Sequence, residues 1–512
     1  MTTNRECLSR FIRRGLTAPE IFWFYFFAAA VFVYPIIKVD YMFYDDNSRS
    51  LLMYEDFWRA GGRILVQVFY NAISFSASSA NLFPLAHLIM LPVIALSLRS
   101  LATYFFSPCT LGDCLVFLPL IYAPTTLGIL IYQYDGPAVM LGVAIVIYAV
   151  VYRSDKSACD VLWPAVLVAM ALSVYQVLLN VLIGLYCFEF AVQLVRGLPL
   201  QEALRLIVRR AFHLLAGLLI YDVTALRFLN TWRSLWVPLD AQWPGIMLAR
   251  LGSAFENLAL FINSGNSWLF IGLSGFAVFG YVCGAVTMLR RNEAVIKKST
   301  LVVLYLLLIP IMTIMVAGLP LLFKVYEPAA RVLLGLAPLL VTVFYFSHKA
   351  LKAIDARATC VLVIPLFCML SFAYMYGRIL MSQKTLESSI LYSLAYDIHS
   401  RPELRNIEVM YLVDAETTPI RRPASLPVAQ EIPALNYVSG GWHRDGEGYL
   451  VMADQFPYVG ISTVRLMSPV QYEAVPDKHK VVDNVIYDIY LSGRTGYIQM
   501  KKIDNAGRDP GR

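Results

Sequence analysis

Apolar residues along this chain come in long unbroken runs rather than in stripes. Runs able to cross about 30 Å of hydrocarbon at about 1.5 Å per residue predict eleven spans, near residues 20–38, 82–105, 114–133, 136–152, 161–176, 177–197, 210–225, 267–289, 299–319, 331–347 and 358–377. Two stretches between spans mix apolar and polar positions instead. Residues 64–75, with Gln67 and Asn71, and residues 250–263, with Trp232, Trp236, Trp243 and Trp268 around them, are expected to lie as helices in the outer interface. Past Arg378 the pattern shortens: 385–399 reads as a helix, 406–413 as a buried strand, 419–433 as a proline-punctuated loop, and 481–491 and 496–500 as further strands. The expected organisation is a transmembrane domain over 1–378 with outer-face loops 38–81, 226–266 and 320–330, a small α/β domain over 379–504, and a frayed end at 505–512.

Composition agrees with the pattern and excludes a soluble protein: 58% of the 512 residues are hydrophobic, 15% are charged, and the mean hydropathy is +0.62. The net charge of +7 is unevenly spread, because residues 379–512 hold 14 Lys/Arg against 16 Asp/Glu and the remaining 28 against 19 lie in the membrane part. That distribution argues against nucleic acid and for topogenic loop charges. With the N-terminus inside, Arg99, Arg153, Lys156, Arg196, Arg205, Arg209, Arg210, Arg290, Arg291, Lys349 and Lys352 fall on the cytoplasmic side. An odd number of spans then puts the tail outside. The parity depends on a hairpin at Tyr175 and Gln176; a single bent helix there would move Arg205 and Arg210 to the outer face, which the charge rule disfavours. The run from Ile21 to Ile37 is expected to be an uncleaved anchor. The eight cysteines imply no disulfide framework.

Polar residues gather at the outer ends of the spans: Asp40, Asp45 and Asp46 after the first, Tyr132, Tyr134 and Asp135 after the third, Tyr175 and Gln176 after the fifth, and Lys324, Tyr326, Glu327 and Arg331 after the ninth. A transporter would place such groups near the bilayer midplane; Glu189 is the ambiguous exception here. Carboxylates beside cations, at the mouth of an apolar bundle, suit group transfer from a lipid phosphate. A carboxylate can take the acceptor proton, a step worth about 10² to 10⁴ in rate, while cations neutralise the leaving phosphate. Either Asp45 or Asp46 can be the base, since neighbouring side chains point in different directions. Arg49, Arg63, Lys324 and Arg331 are the candidate cations, Asp135 can orient the acceptor, and Tyr134, Tyr175, Gln176 and Tyr326 complete the candidate binding set. No cofactor is implied; a divalent ion bridged by Asp45, Asp46 and Asp135 is the alternative use of those carboxylates. The six histidines show no zinc spacing, and no phosphate-binding glycine loop is present. Trp442, His443 and Arg444 form a possible glycan contact in the tail.

The acidic pair in YDDNSR, then Trp58 and the GGR at 61–63, then YQYD at 132–135 and YQ at 175–176 resemble the phage- and serotype-type O-antigen glucosyltransferases, of the type-C glycosyltransferase class. The similarity extends into the tail at AYDIHSRPELRNIEVMYLV. It implies a polytopic α-helical membrane fold of the bacterial inner membrane, a polyprenyl-phosphate glucose donor, an outer-face reaction with inversion, and a lipid-linked O-antigen acceptor. A flippase and a donor synthase would be partners. The essential acidic residue of the class's first outer loop carries over to Asp45 and Asp46; at the second motif Gln133 stands where the family has arginine, which weakens a phosphate role there. Two other enzyme substrates, mannose or arabinose on the same carrier, fit the residues equally. A lipid-linked sugar flippase or exporter and an assembly scaffold are the readings from other classes.

Overall fold

The computed structural model describes residues 14–53, 56–154, 157–229, 235–413, 426–439, 454–461 and 464–501. Trp232, Trp442, His443, Arg444 and the expected frayed end lie outside them. Among the described residues, seven helices are long and apolar enough to cross a membrane: Ala18–Val39, Leu85–Phe105, Leu111–Leu130, Leu178–Val195, Ser267–Leu289, Val295–Met315 and Ala356–Ser400. Ile64–Ser74 and Asp135–Val151 are shorter apolar helices, and Ser157–Val174, Leu200–Thr224, Trp243–Ala259 and Leu336–Ile354 complete the larger set.

Local chemistry sets several helix ends. The Glu20 carboxylate accepts from the Thr17 N–H at 2.8 Å and Pro19 sits in the first turn, so the first helix starts at Ala18. It stops at Asp40, which takes a left-handed φ of 47°. The third apolar run, expected as a span near 114–133, is the span Leu111–Leu130, built from short pieces: Leu111–Leu115, Pro119–Tyr122, a 3-10 turn at Pro124–Thr126, and Leu127–Leu130. Pro119 and Pro124 lack the N–H that would continue the ladder. The fifth and sixth runs form the expected hairpin, with Tyr175, Gln176 and Val177 between helices. The last run does not end at residue 378; Val363–Ser400 is a single helix of 38 residues, because nothing breaks it before Pro402.

The chain divides into two compact units, one of residues 1–40 and 53–374, the other of residues 41–52 and 375–512. Within the first, helix Leu85–Phe105 packs on both Ala18–Val39 and Asp135–Val151, Ser157–Val174 packs on Leu200–Thr224, and Ser267–Leu289 packs on Leu336–Ile354. Glu189 is wholly buried there and paired. Arg210 donates to its two oxygens at 2.8 and 2.7 Å, Arg153 to one at 3.1 Å and Tyr104 to the same one at 2.8 Å.

The second unit holds a five-stranded sheet of order β2-β1-β5-β4-β3, with β1 Val409–Val413, β2 Val464–Met467, β3 His479–Asp483, β4 Tyr487–Ser492 and β5 Thr495–Met500. β1 runs parallel to β2 and β5; the β3-β4 and β4-β5 pairs are antiparallel. The expected strand 481–491 is thus two strands. Asn484 makes the break, its Oδ1 accepting from the N–H groups of Ile486 at 2.8 Å and Tyr487 at 2.9 Å, an Asx-type turn. Ile390, Leu394 and Ile398 of the long helix pack against Met410, Leu412, Ile489 and Ile498 to form this unit's core.

Candidate functional site

In the first unit the motif YQYD at 132–135 is built into a polar cluster at one end of helix Asp135–Val151. Asp135 opens that helix and is 5% exposed. It is the first helical residue, with Tyr134 at the cap position. Its Oδ1 accepts from the indole N–H of Trp58 at 2.7 Å, and Oδ2 lies 3.7 Å from Nη1 of Arg63. Trp58 is fixed from the other side: its ring stacks on Tyr70 at 5.6 Å and 11°, and Tyr134 lies 5.6 Å away. The Tyr70 hydroxyl donates to the carbonyl of Tyr134 at 2.7 Å, and the Tyr134 hydroxyl donates to that of Ser79 at 3.1 Å. Gln133 donates to Asp40 Oδ1 at 3.0 Å and accepts from Asn81 at 2.9 Å. Gln133 therefore acts as a joint between the first helix's end and this motif.

Two cations stand over tyrosine rings in the same cluster. The Arg63 guanidinium lies 4.7 Å from the Tyr175 ring centre, and Arg331 lies 5.5 Å from that of Tyr132, whose hydroxyl it also hydrogen-bonds. Arg63, Arg331 and Asp135 are all within electrostatic range of Tyr175. Arg63 keeps its buried Nε–H without a hydrogen-bond partner, a donor that a further acceptor would satisfy. The loop carrying Arg63 is held by Gln176, which donates to the Gly61 carbonyl at 2.7 Å and to the Tyr221 hydroxyl at 2.8 Å. Gly62 sits there at φ +69°, and a Cβ on it would come within 2.8 Å of that hydroxyl.

Lys324 and Tyr326 lie elsewhere in this unit. Arg250 grips their loop, donating to the carbonyls of Leu321 and Phe323, each at 2.6 Å, and to that of Lys324 at 3.2 Å. Tyr326 donates back to the Arg250 carbonyl at 3.1 Å, and Lys324 is exposed. Tyr70, Asn81 and Arg250 went unnoticed in the sequence because each sits in an ordinary helical or loop context; only their partners mark them.

Asp45, Asp46 and Arg49 belong to the second unit. Tyr44, at φ 44°, turns the chain into the short helix Asp45–Leu51. Asp46 is wholly buried, its carboxylate accepting from the Phe43 N–H at 3.1 Å. The Asp45 side chain is 43% exposed and lies 3.3 Å from the nearly buried Arg49. The segment is anchored by Tyr41, which donates to Glu387 at 2.9 Å. Asp454 joins this group unannounced by any sequence signal: burial, then the charge of Asp45, raises its pKa above the ordinary value. Among the described residues no group of three or more His, Cys, Asp or Glu is placed to hold a metal ion.

The model of the family described as Glucosyl transferase GtrII matches residues 34–342, a range that takes in the acidic loop and the whole of the Arg63, Asp135 and Arg331 cluster. The chain is also 26% identical over 153 residues to an uncharacterized 55.3 kDa protein in the gtrB 5' region of Salmonella phage P22, covering 30% of this chain and 31% of that relative. The match thus spans about a third of that protein's length. No solved structure matches.

Proposed function

The chain belongs to the glucosyl transferase GtrII family, and on that premise we propose that it transfers glucose from a polyprenyl-phosphate carrier to lipid-linked O-antigen on the periplasmic face of the bacterial inner membrane. The observation that carries the proposal is the pair of guanidinium groups, Arg63 and Arg331, set over tyrosine rings at the end of apolar helices, with the Arg63 Nε–H awaiting an acceptor. Such an arrangement suits a phosphoester whose tail is hydrocarbon. As the bond from C1 of glucose to phosphate breaks, negative charge gathers on the leaving phosphate, and fixed cations stabilise that state more than the ground state.

Attack by an acceptor hydroxyl on C1, opposite the phosphate, gives inversion and releases one proton. Asp45 is the proposed base. It is the half-exposed member of the pair, while the carboxylate of Asp46 is buried against the backbone N–H of Phe43 and serves to shape the turn. Eleven spans in a type-C arrangement, with the tail outside, belong to the same proposal; the run of Lys and Arg in alternate loops supports it.

The test compares Asp45→Asn with Asp46→Asn by structural analysis of the O-antigen made in cells expressing each variant. Asp45→Asn should lower glucosylation by about 10² to 10⁴ at unchanged protein level. Wild-type glucosylation by Asp45→Asn would exclude the assignment. Supplying mannose or arabinose on the same carrier to purified protein discriminates the sugar.

A further inference from the structure

Helix Asp135–Val151 meets a second polar cluster at its other end. Asp135 opens the helix, while Arg210 donates to the carbonyls of Ala149 at 3.3 Å and Val150 at 2.6 Å. At about 1.5 Å per residue, Ala149 lies about 21 Å along the axis from Asp135, so the two clusters occupy opposite ends of the apolar bundle. Among the described residues, three guanidinium groups gather there with two carboxylates. Arg210 and Arg153 pair with Glu189, and Arg209 pairs with Asp160 at 3.2 Å. Arg210 takes both Glu189 oxygens, and the oxygen that Arg153 shares also accepts from Tyr104. One positive charge is therefore left in excess.

That excess lies at the surface of the unit. The Arg210 side chain is 6% exposed, but those of Arg153 and Arg209 are 38% and 29% exposed. Arg153 and Arg210 both repel the Arg209 guanidinium, and the buried Nε–H of Arg209 has no acceptor. The buried Tyr186 hydroxyl, whose ring centre is 4.8 Å from the Arg210 guanidinium, and both ring nitrogens of the wholly buried His213 also lack partners. His213 is within electrostatic range of all three arginines. Crowded like charges and unmet donors cost free energy that an anion would recover.

The helix carrying Arg209 indicates what kind of molecule bears the anion. Along Leu200–Thr224, Val208, Phe212, Leu215 and Leu219 recur at helical spacing and are all exposed, an apolar stripe that starts beside Arg209. A soluble anion would use the charge and leave the stripe idle. A phospholipid uses both.

We propose that Arg153 and Arg209 bind the phosphate of an anionic phospholipid whose chains lie along this stripe. Basic pockets between membrane helices hold such headgroups, because the cations are fixed at headgroup level while the helix surface beside them stays apolar. Arg210 and Glu189 form the floor of the site, locking the helix ends so that the two outer guanidinium groups stay close. The site is independent of the transfer reading, since it lies at the far end of the helix from Arg63 and Asp135.

The experiment uses the full chain, purified in detergent and stripped of lipid. It is titrated with dioctanoyl phosphatidylglycerol, dioctanoyl phosphatidylcholine and inorganic phosphate, with native mass spectrometry and melting temperature as readouts. Wild type should bind phosphatidylglycerol saturably, with a higher melting temperature, and phosphatidylcholine, whose headgroup carries its own cation, more weakly. Arg153→Gln and Arg209→Gln should each weaken phosphatidylglycerol about fivefold. Arg205→Gln, on the same helix but 73% exposed and paired with Glu202, should leave binding unchanged. Equal affinity for the two lipids, or an equal loss in all three variants, would overturn the proposal. Inorganic phosphate binding as tightly as phosphatidylglycerol would overturn the lipid as the occupant. The comparison of the two lipids on wild type decides the matter even where a variant fails to fold.

Discussion

Trp58 reaches Asp135 across 77 positions of sequence with its one polar atom, and the carboxylate it meets is buried. Trp58→Phe keeps the ring stack on Tyr70 but removes that donor, at a cost of about 1–3 kcal/mol. Thermal unfolding in detergent should show the lower melting temperature, and transfer should fall with it. Gly62→Ala meets two obstacles, a φ of +69° and the Tyr221 hydroxyl 2.8 Å from the new Cβ. Tyr221→Phe in the same chain should relieve the second and leave the first, about 1–2 kcal/mol, so the double variant should melt between Gly62→Ala and wild type. Asp454 gives a pH signature. Its folded pKa is raised by burial and by Asp45, so its contribution favours the fold below the ordinary 3.8 and is lost as pH rises through the folded value. Asp454→Asn should therefore stabilise the chain more at neutral pH than below that range, which melting curves across pH will check. The acidic loop and YQYD were legible as charges at the ends of apolar runs. The difference between Asp45 and Asp46 was not, since adjacent residues of one type carry no mark of which is buried.

At the scale of elements, Arg210 ties three helices together. It pairs with Glu189 on Leu178–Val195 and donates to the carbonyls of Ala149 at 3.3 Å and Val150 at 2.6 Å, the last turn of Asp135–Val151. Glu189 thus closes helix contacts rather than opening a polar path. Arg210→Met should cost about 3–5 kcal/mol by leaving a buried carboxylate under-compensated, and adding Glu189→Leu should recover much of it; yield and melting temperature of the two proteins test this. Helix existence followed from apolar run length. The prolines at 119 and 124 divide the span Leu111–Leu130 into short pieces without ending it, because they remove backbone donors while the run stays apolar. The helix Val363–Ser400 runs through residue 378, where composition turns polar and suggests a boundary, because backbone propensity does not change there.

For the whole molecule, the topology proposed above has the tail outside. A phosphatase fused after Lys501 should be active only if exported, and an inactive, stable fusion would reverse the orientation. Membrane residence, the orientation argument and the family were legible in one dimension. Hydrophobicity and charge are properties of each residue summed along the chain, and short motifs at span ends need no partner to be seen. Tertiary structure alone decided that residues 41–52 gather with 375–512, that Arg63 shares Asp135 with Trp58, and that three tyrosines of separate strands line up in one row. Each of these depends on contacts between residues tens to hundreds of positions apart. Such contacts are selected by packing and by the need to satisfy buried polar groups, and neither constraint is written at any single position.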